Sequence, residues 1–150
     1  MNISNEGLEL LKQHEGLRLQ SYPDPGTGGE PWTIGYGHTG PDIREGLTIR
    51  QEQADAYLRD DVKWVEDCIM ENVFVPLTQN QFDALCSFIY NVGCKAFCGS
   101  TLLRLLNEEH YDAAMQQFKR WDKAAGKVMA GLANRRKHEA ELFKGREGIA

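Results

Sequence analysis

Glu15 and Asp24 stand nine positions apart, and the chain changes character between them. Glu15 closes a stretch, "NEGLELLKQHE", whose leucines recur at helical spacing, so the spacing predicts a helix that ends at this carboxyl. The C-terminus of a helix is the negative end of its dipole. A second negative charge is disfavoured there, which suits a general acid. Asp24 opens the polar loop "DPGTGGEP", where a carboxylate stays solvated and can act as a base. Two carboxyls in unlike surroundings, brought together by a chain reversal, are what glycoside hydrolysis requires. Thr33 begins the returning strand and adds a small hydroxyl able to hold a water. Each has a structural reading too: Glu15 as a surface helix end, Asp24 as a turn former before Pro25.

A second chemical signal, "GYGHTG" at 35–40, spells the dinucleotide fingerprint G-x-G-x-x-G. That fingerprint works only where a strand leads into it and a helix leaves it, so that phosphate sits on the helix N-terminus. Here Pro41 and Asp42 follow at once, and "IREGL" has no helical period. Gly35 and Gly37 instead suit a tight hairpin whose backbone approaches its neighbours closely. No nucleotide or other cofactor is expected. Cys68, Cys86, Cys94 and Cys98 lack the close pairs of a zinc site, so no metal is expected and buried free thiols are favoured over a disulfide or a metal site. Cys94 and Cys98 can share a helical face, with no His or acidic partner close in sequence.

The elements that must position Glu15, Asp24 and Thr33 are legible from caps and periodicity. Ser4 can cap the first helix, with Ile3 stapled to Leu8, the buried face on Leu8 and Leu11, and Gly16 as a left-handed stop. Residues 19–39 are rich in glycine, proline and β-formers and predict a hairpin or small sheet. Thr48 with Gln51 reads as a capping box opening a long helix with Ala54, Tyr57, Leu58, Val62, Val65 and Ile69 in phase. Thr78 with Gln81 reads as another, opening the apolar "QFDALCSFIYNVG". "STLLRLLNEEH", "YDAAMQQFKRW" and "LANRRKHEAELF" predict three more helices. The expected architecture is α+β: a small β-containing N-terminal lobe over about 14–48, a connecting helix over about 49–72, and a helical C-terminal lobe over about 73–150 that includes the first helix.

The 150 residues suit one such domain. The net charge of −5 conceals an uneven distribution, because residues 119–150 carry nine Lys and Arg against four Asp and Glu. That segment reads as a solvated basic helix or as a surface facing an anionic polymer, with Arg136 and Lys137 among the solvated charges. The N-terminus has no basic, apolar leader pattern, and no run approaches the ~20 apolar residues that cross a bilayer.

"HEGLRLQSYPD" followed by "PWTIGYGHTG" resembles the phage-type lysozymes, muramidases that open bacterial cells. Their signature is a Glu, eight residues, an acidic residue, a short loop and Thr-Ile-Gly-x-Gly-His, which falls here on Glu15, Asp24 and Thr33 to His38. The likeness continues through "VPLTQNQFDALCSFIYNVG" and "AFCGSTLLRLLN" to "NRRKHEAELF". The loop from Asp24 to Thr33 is three residues longer than the usual form. The resemblance implies a lysozyme-like fold and acid–base hydrolysis of the β-1,4 bond between N-acetylmuramic acid and N-acetylglucosamine, with an inverting outcome. Glu15 is implied as acid, Asp24 as base and Thr33 as water holder. Arg135 matches an arginine facing the catalytic Glu, Asn91 and Tyr90 are candidates to touch substrate, with a core-helix role as the equal alternative for Tyr90, and His38 is expected to pair with Asp61. It implies peptidoglycan as partner and a monomer without nucleic acid or stable membrane association. It also implies a protein held in the host cytoplasm until other machinery releases it to the wall. A lytic transglycosylase, a wall-binding module and a nucleic-acid binder are the alternatives; the first uses a single acidic residue, which Asp24 and Thr33 argue against.

Overall fold

The computed structural model describes residues 1–145, so the last five residues of the expected C-terminal lobe lie outside the described residues. Two compact units are present: Glu9–Trp64, and Met1–Leu8 together with the chain from Val65 onward. Helix α1 spans Asn5–Glu15 and helix α2 spans Gln51–Asn72, and each has residues in both units.

In the unit Glu9–Trp64, α1 stops where the sequence says it must. Gly16 adopts φ 73° and its N–H bonds the carbonyl of Lys12 at 3.0 Å, a left-handed stop that a glycine makes without a Cβ clash. Strand β1 (Arg18–Tyr22) pairs antiparallel with β2 (Thr33–Gly35), which pairs with β3 (His38–Thr39). Arg18 faces Gly35 and Tyr22 faces Thr33, so five residues oppose three and β1 carries a bulge. Between β2 and β3 the chain reverses through Tyr36 and Gly37, the latter at φ 88°. Gly35, at φ 66°, brings the strand against α2, where an added Cβ would lie 3.5 Å from that of Ala54. Ile34, Ile49, Ala54, Leu58 and Val62 form the buried interior of this unit.

The cap expected at Thr48 does not form, and α2 starts three residues later. Thr48 is bridged to Gln20, while the N–H of Ile49 bonds the carbonyl of Leu19 at 2.8 Å. Pairing with the free edge of β1 holds residues 47–49 extended, which a Thr favours as much as a cap. The side chain of Gln53 instead accepts from the N–H of Arg50 at 3.0 Å, with Arg50 as the residue preceding the helix.

The second unit is helical: α3 (Gln79–Val92), α4 (Cys94–Cys98), α5 (Thr101–Asn107), α6 (Tyr111–Gln117) running into one 3-10 turn at Phe118–Arg120, and α7 (Ala130–Lys144). A two-stranded ribbon, β4 (Lys123–Ala124) with β5 (Lys127–Val128), precedes α7. The capping box at Thr78 and Gln81 is complete, each side chain bonding the other's backbone N–H. Ser100 likewise caps α5. α3 is buried on most of its surface and packs on α7; Phe88 meets Phe118 and Trp121 edge-on at 5.3 Å, and Phe118 meets Phe143 at 5.6 Å. Ser4 caps α1, accepting from the N–H of Gly7 at 3.2 Å, and its hydroxyl donates to the carboxylate of Asp83 in α3.

The expectation of free thiols is overturned for two of the four cysteines. Cys68 in α2 and Cys94 in α4 form a disulfide, while Cys86 is a buried thiol and Cys98 an exposed one. Sequence spacing could not reveal the pair, because only the folded chain brings the Cα atoms of Cys68 in α2 and Cys94 in α4 to 6.0 Å. Among the described residues, no helix is long and apolar enough to cross a membrane.

Candidate active site

Glu15 is the last residue of α1 and is half-buried. Two residues intervene before β1, which begins at Arg18 and ends at Tyr22. The Arg18 guanidinium sits 4.7 Å from the centre of the Tyr22 ring. The Tyr22 hydroxyl titrates above its ordinary range: burial raises it most, the Arg18 cation opposes this, and the Glu15 carboxylate raises it further. Glu15, Arg18 and Tyr22 therefore form one electrostatic group. Tyr22 in turn faces Thr33 across the sheet.

Asp24 follows two residues after Tyr22 and organises the loop. Its Oδ2 accepts from the N–H groups of Gly26 at 3.0 Å and Thr27 at 3.2 Å. Its backbone N–H donates to Gly29 at 2.9 Å, and its carbonyl accepts from Gly28 at 2.8 Å. The Thr27 hydroxyl closes the far side, donating to the carbonyl of Glu30 at 2.6 Å. The loop therefore folds on its own first residue. The two backbone N–H donors on Oδ2 fix the orientation of the carboxylate at the head of the loop. Thr33, half-buried, heads β2 and is held on both sides, by Tyr22 and by Thr39.

His38 in β3 stacks on Tyr57 of α2, with ring centroids 4.0 Å apart and planes 8° from parallel, and its Nδ1 lies 2.8 Å from Asp61 Oδ2. The expected pair with Asp61 is present. Burial raises the Asp61 carboxyl above its usual range, and the hydrogen bond and charge of His38 pull it back.

In the helical unit, Arg135 is not a surface cation. It is buried, donating from Nη2 to the carbonyl of Ser87 at 2.9 Å and from Nε to Glu139 Oε2 at 3.2 Å. Arg136, expected among the solvated charges, is fully buried: it pairs with Glu139 at 3.2 Å, donates to the side-chain oxygen of Asn91, and lies 4.9 Å over the Phe88 ring. Lys137 is exposed as expected, while Arg135 and Arg136 turn inward towards Glu139, which lies one turn on and is itself buried. Burial raises the Glu139 carboxyl; Arg136 and Arg135 oppose it, as does a 2.6 Å bond from the Ser87 hydroxyl. Asn91 is exposed, and Tyr90 packs against the helical core. Sequence reasoning missed Arg18, Tyr22 and Glu139. The i,i+3 and i,i+4 spacing of Arg136 and Arg135 to Glu139 was a visible signal for the last; the bulge in β1 left no such signal for the first two.

The sequence profile of the family described as phage lysozyme matches residues 12–139, which include Glu15, Asp24, Thr33 and Arg135. The endolysin of Salmonella phage P22 is 48% identical over 147 residues, spanning 95% of this chain and 98% of its own. The endolysin of Acyrthosiphon pisum secondary endosymbiont phage 1 is 45% identical, spanning 96% and 99%. Among solved structures, the muramidase domain of SpmX from Asticaccaulis excentricus superposes with a TM-score of 0.87 at 44% identity, covering 95% of this chain and 97% of that one. Sheet, helices and family match agree, and the chain belongs to the phage lysozyme family.

Proposed function

We propose that this phage lysozyme hydrolyses the β-1,4 bond between N-acetylmuramic acid and N-acetylglucosamine in peptidoglycan, with inversion. Glu15 protonates the leaving oxygen, and Asp24 deprotonates or orients the attacking water that Thr33 helps to hold. The observation that carries this reading is the small sheet: Glu15 leads into β1, Tyr22 couples electrostatically to Glu15 and pairs with Thr33, and Asp24 follows Tyr22. An inverting pair stands ~6.5–9.5 Å apart to admit the water. Arg135 is assigned to active-site support as a cation fixed by Ser87 and Glu139, and Asn91 to the same role beside Arg136. His38 is assigned to holding β3 on α2 through Asp61. The enzyme acts as a monomer on the wall polymer, without nucleic acid or stable membrane association. It stays in the host cytoplasm until other machinery releases it.

Digestion of purified peptidoglycan followed by mass analysis tests the reaction. Hydrolysis adds one water per cut and leaves a reducing end; anhydro ends would overturn it in favour of a transglycosylase. Glu15→Gln tests the acid. Gln is nearly isosteric and has no proton to give, so activity falls ~10²–10⁴-fold. The thermal midpoint stays level or rises, since a carboxylate at a helix C-terminus is unfavourable. Retained activity above about a tenth overturns the assignment, given that range. Lost activity with a sharply lowered midpoint would make Glu15 structural.

A further inference from the structure

Three cysteine sulfurs that the proposed reaction does not use meet at one place in the helical unit. Cys68 belongs to α2, and Cys94 and Cys98 lie one turn apart on α4. Cys68 and Cys94 are bonded; the exposed Cys98 sulfur is 3.8 Å from that of Cys94, and all three Sγ atoms lie within 4.8 Å of one another. A staple between α2 and α4 needs two sulfurs only, so the third is unexplained by cross-linking. The spacing is informative. Zinc–thiolate bonds of ~2.3 Å in a tetrahedron put neighbouring sulfurs ~3.8 Å apart. Cys94 and Cys98 already stand at that separation. Beside Cys98 lies a depression of about 360 Å³, lined also by Ser100, Arg104 and Asn107. The depression reaches Cys98, the exposed member of the three.

We propose that Cys68, Cys94 and Cys98 form a redox-gated site for one thiophilic d10 cation of the zinc and cadmium class, open only when the Cys68–Cys94 bond is reduced. Opening takes two electrons and two protons from an external dithiol, which leaves as its disulfide while the Cys68–Cys94 bond becomes two thiols. Binding then forms three sulfur–metal bonds and releases three thiol protons to solvent. Soft thiolates select such ions over magnesium or calcium. The gate follows from the chemistry of sulfur, since the thiolate and not the disulfide is the strong ligand. Linear spacing argued against a metal site because its third ligand arrives from another helix. Cys86 is buried outside the cluster and serves as an internal control.

The test uses the full chain, reduced anaerobically with a phosphine, freed of reductant and titrated with Cd(II), whose bonds to thiolate absorb in the ultraviolet. One Cd(II) per chain is expected, with the absorbance of three thiolates, and none in the oxidised protein. Cys98→Ser leaves the disulfide in place and is expected to weaken Cd(II) binding by the reduced chain on the order of 100-fold, at least the loss caused by changes further from a metal. Cys86→Ser is expected to bind as wild type does. Circular dichroism on the same samples follows the fold. Equal binding by oxidised protein, equal binding by Cys98→Ser, no uptake at all, or loss of the helical signal on reduction would each overturn the proposal.

Discussion

Asp61 carries its charge under two opposed influences. Burial raises its carboxyl above the ordinary range, and the nearby His38 lowers it by less. A carboxyl whose folded pKa exceeds its unfolded value of ~3.9 binds its proton more tightly in the native state. Its contribution is therefore most favourable below the unfolded value and declines as pH rises through the folded one. Asp61→Asn mimics the neutral form at every pH and keeps a hydrogen-bonding side chain. Thermal midpoints of both proteins, taken stepwise from about pH 3 upward, are expected to favour wild type most at the acid end, since the unfolded value lies near 3.9. A margin that grew with pH would show that attraction to His38 outweighs burial. At Glu15 and Asp24 the residue types and their spacing were enough to nominate the chemistry. For Arg136 they misled, because a basic run without its partner reads as solvent-facing.

Among the helices, α1 shows how packing can reverse a local preference. Gly7 sits inside α1, where alanine is ordinarily the better residue by about 1 kcal/mol. Here α1 begins against Asp83, whose carboxylate takes the N–H and hydroxyl of Ser4, and an added Cβ at Gly7 would meet Asp83 Cγ and Ile3 Cγ1 at 2.7 Å. Neither is the free end of a flexible side chain, and Asp83 is fully buried. Overpacking of this kind costs roughly 1–3 kcal/mol, enough to override the propensity gain. Gly7→Ala is expected to lower the midpoint of chemical denaturation; a raised midpoint would mean that the first turn shifts freely. The caps at Ser4 and Thr78 were legible because they depend on neighbours three residues away. The cap at Thr48 was not formed, because β1 offered that segment a sheet edge instead.

Across the described residues, the helical unit is tied by one disulfide and by a buried ionic group around Glu139. The Cys68–Cys94 bond closes a segment with a sequence separation of 26. The loop-closure relation gives about 3–4 kcal/mol for such a segment, through the entropy it removes from the unfolded chain. Urea denaturation of the double variant Cys68→Ser, Cys94→Ser is expected to show a loss of that order relative to oxidised wild type. A loss under about 1 kcal/mol would mean that the unfolded chain is already compact there, the usual reason such links fall short. Within the same unit, Glu139 joins Ser87, Arg135 and Arg136, so α3 and α7 are joined by charge as well as by Phe88, Phe118 and Phe143.

What the sequence determined by itself was local or motif-borne: the helix ending at Glu15 and Gly16, the hairpin through Gly35 and Gly37, the cap at Thr78, and the spacing of Glu15, Asp24, Thr33 and His38. These depend on dihedral preferences, on hydrogen bonds a few residues long, and on a signature contained in one continuous stretch. Tertiary structure alone decided the fate of groups whose partners lie far along the chain. Cys68 found Cys94, Ser4 found Asp83, and Arg135 and Arg136 were drawn inside with Glu139 to meet Ser87 and Asn91. The physical reason is that a buried charge or thiol takes its state from what surrounds it in space, and that neighbourhood is assembled only when α2, α3, α4 and α7 pack.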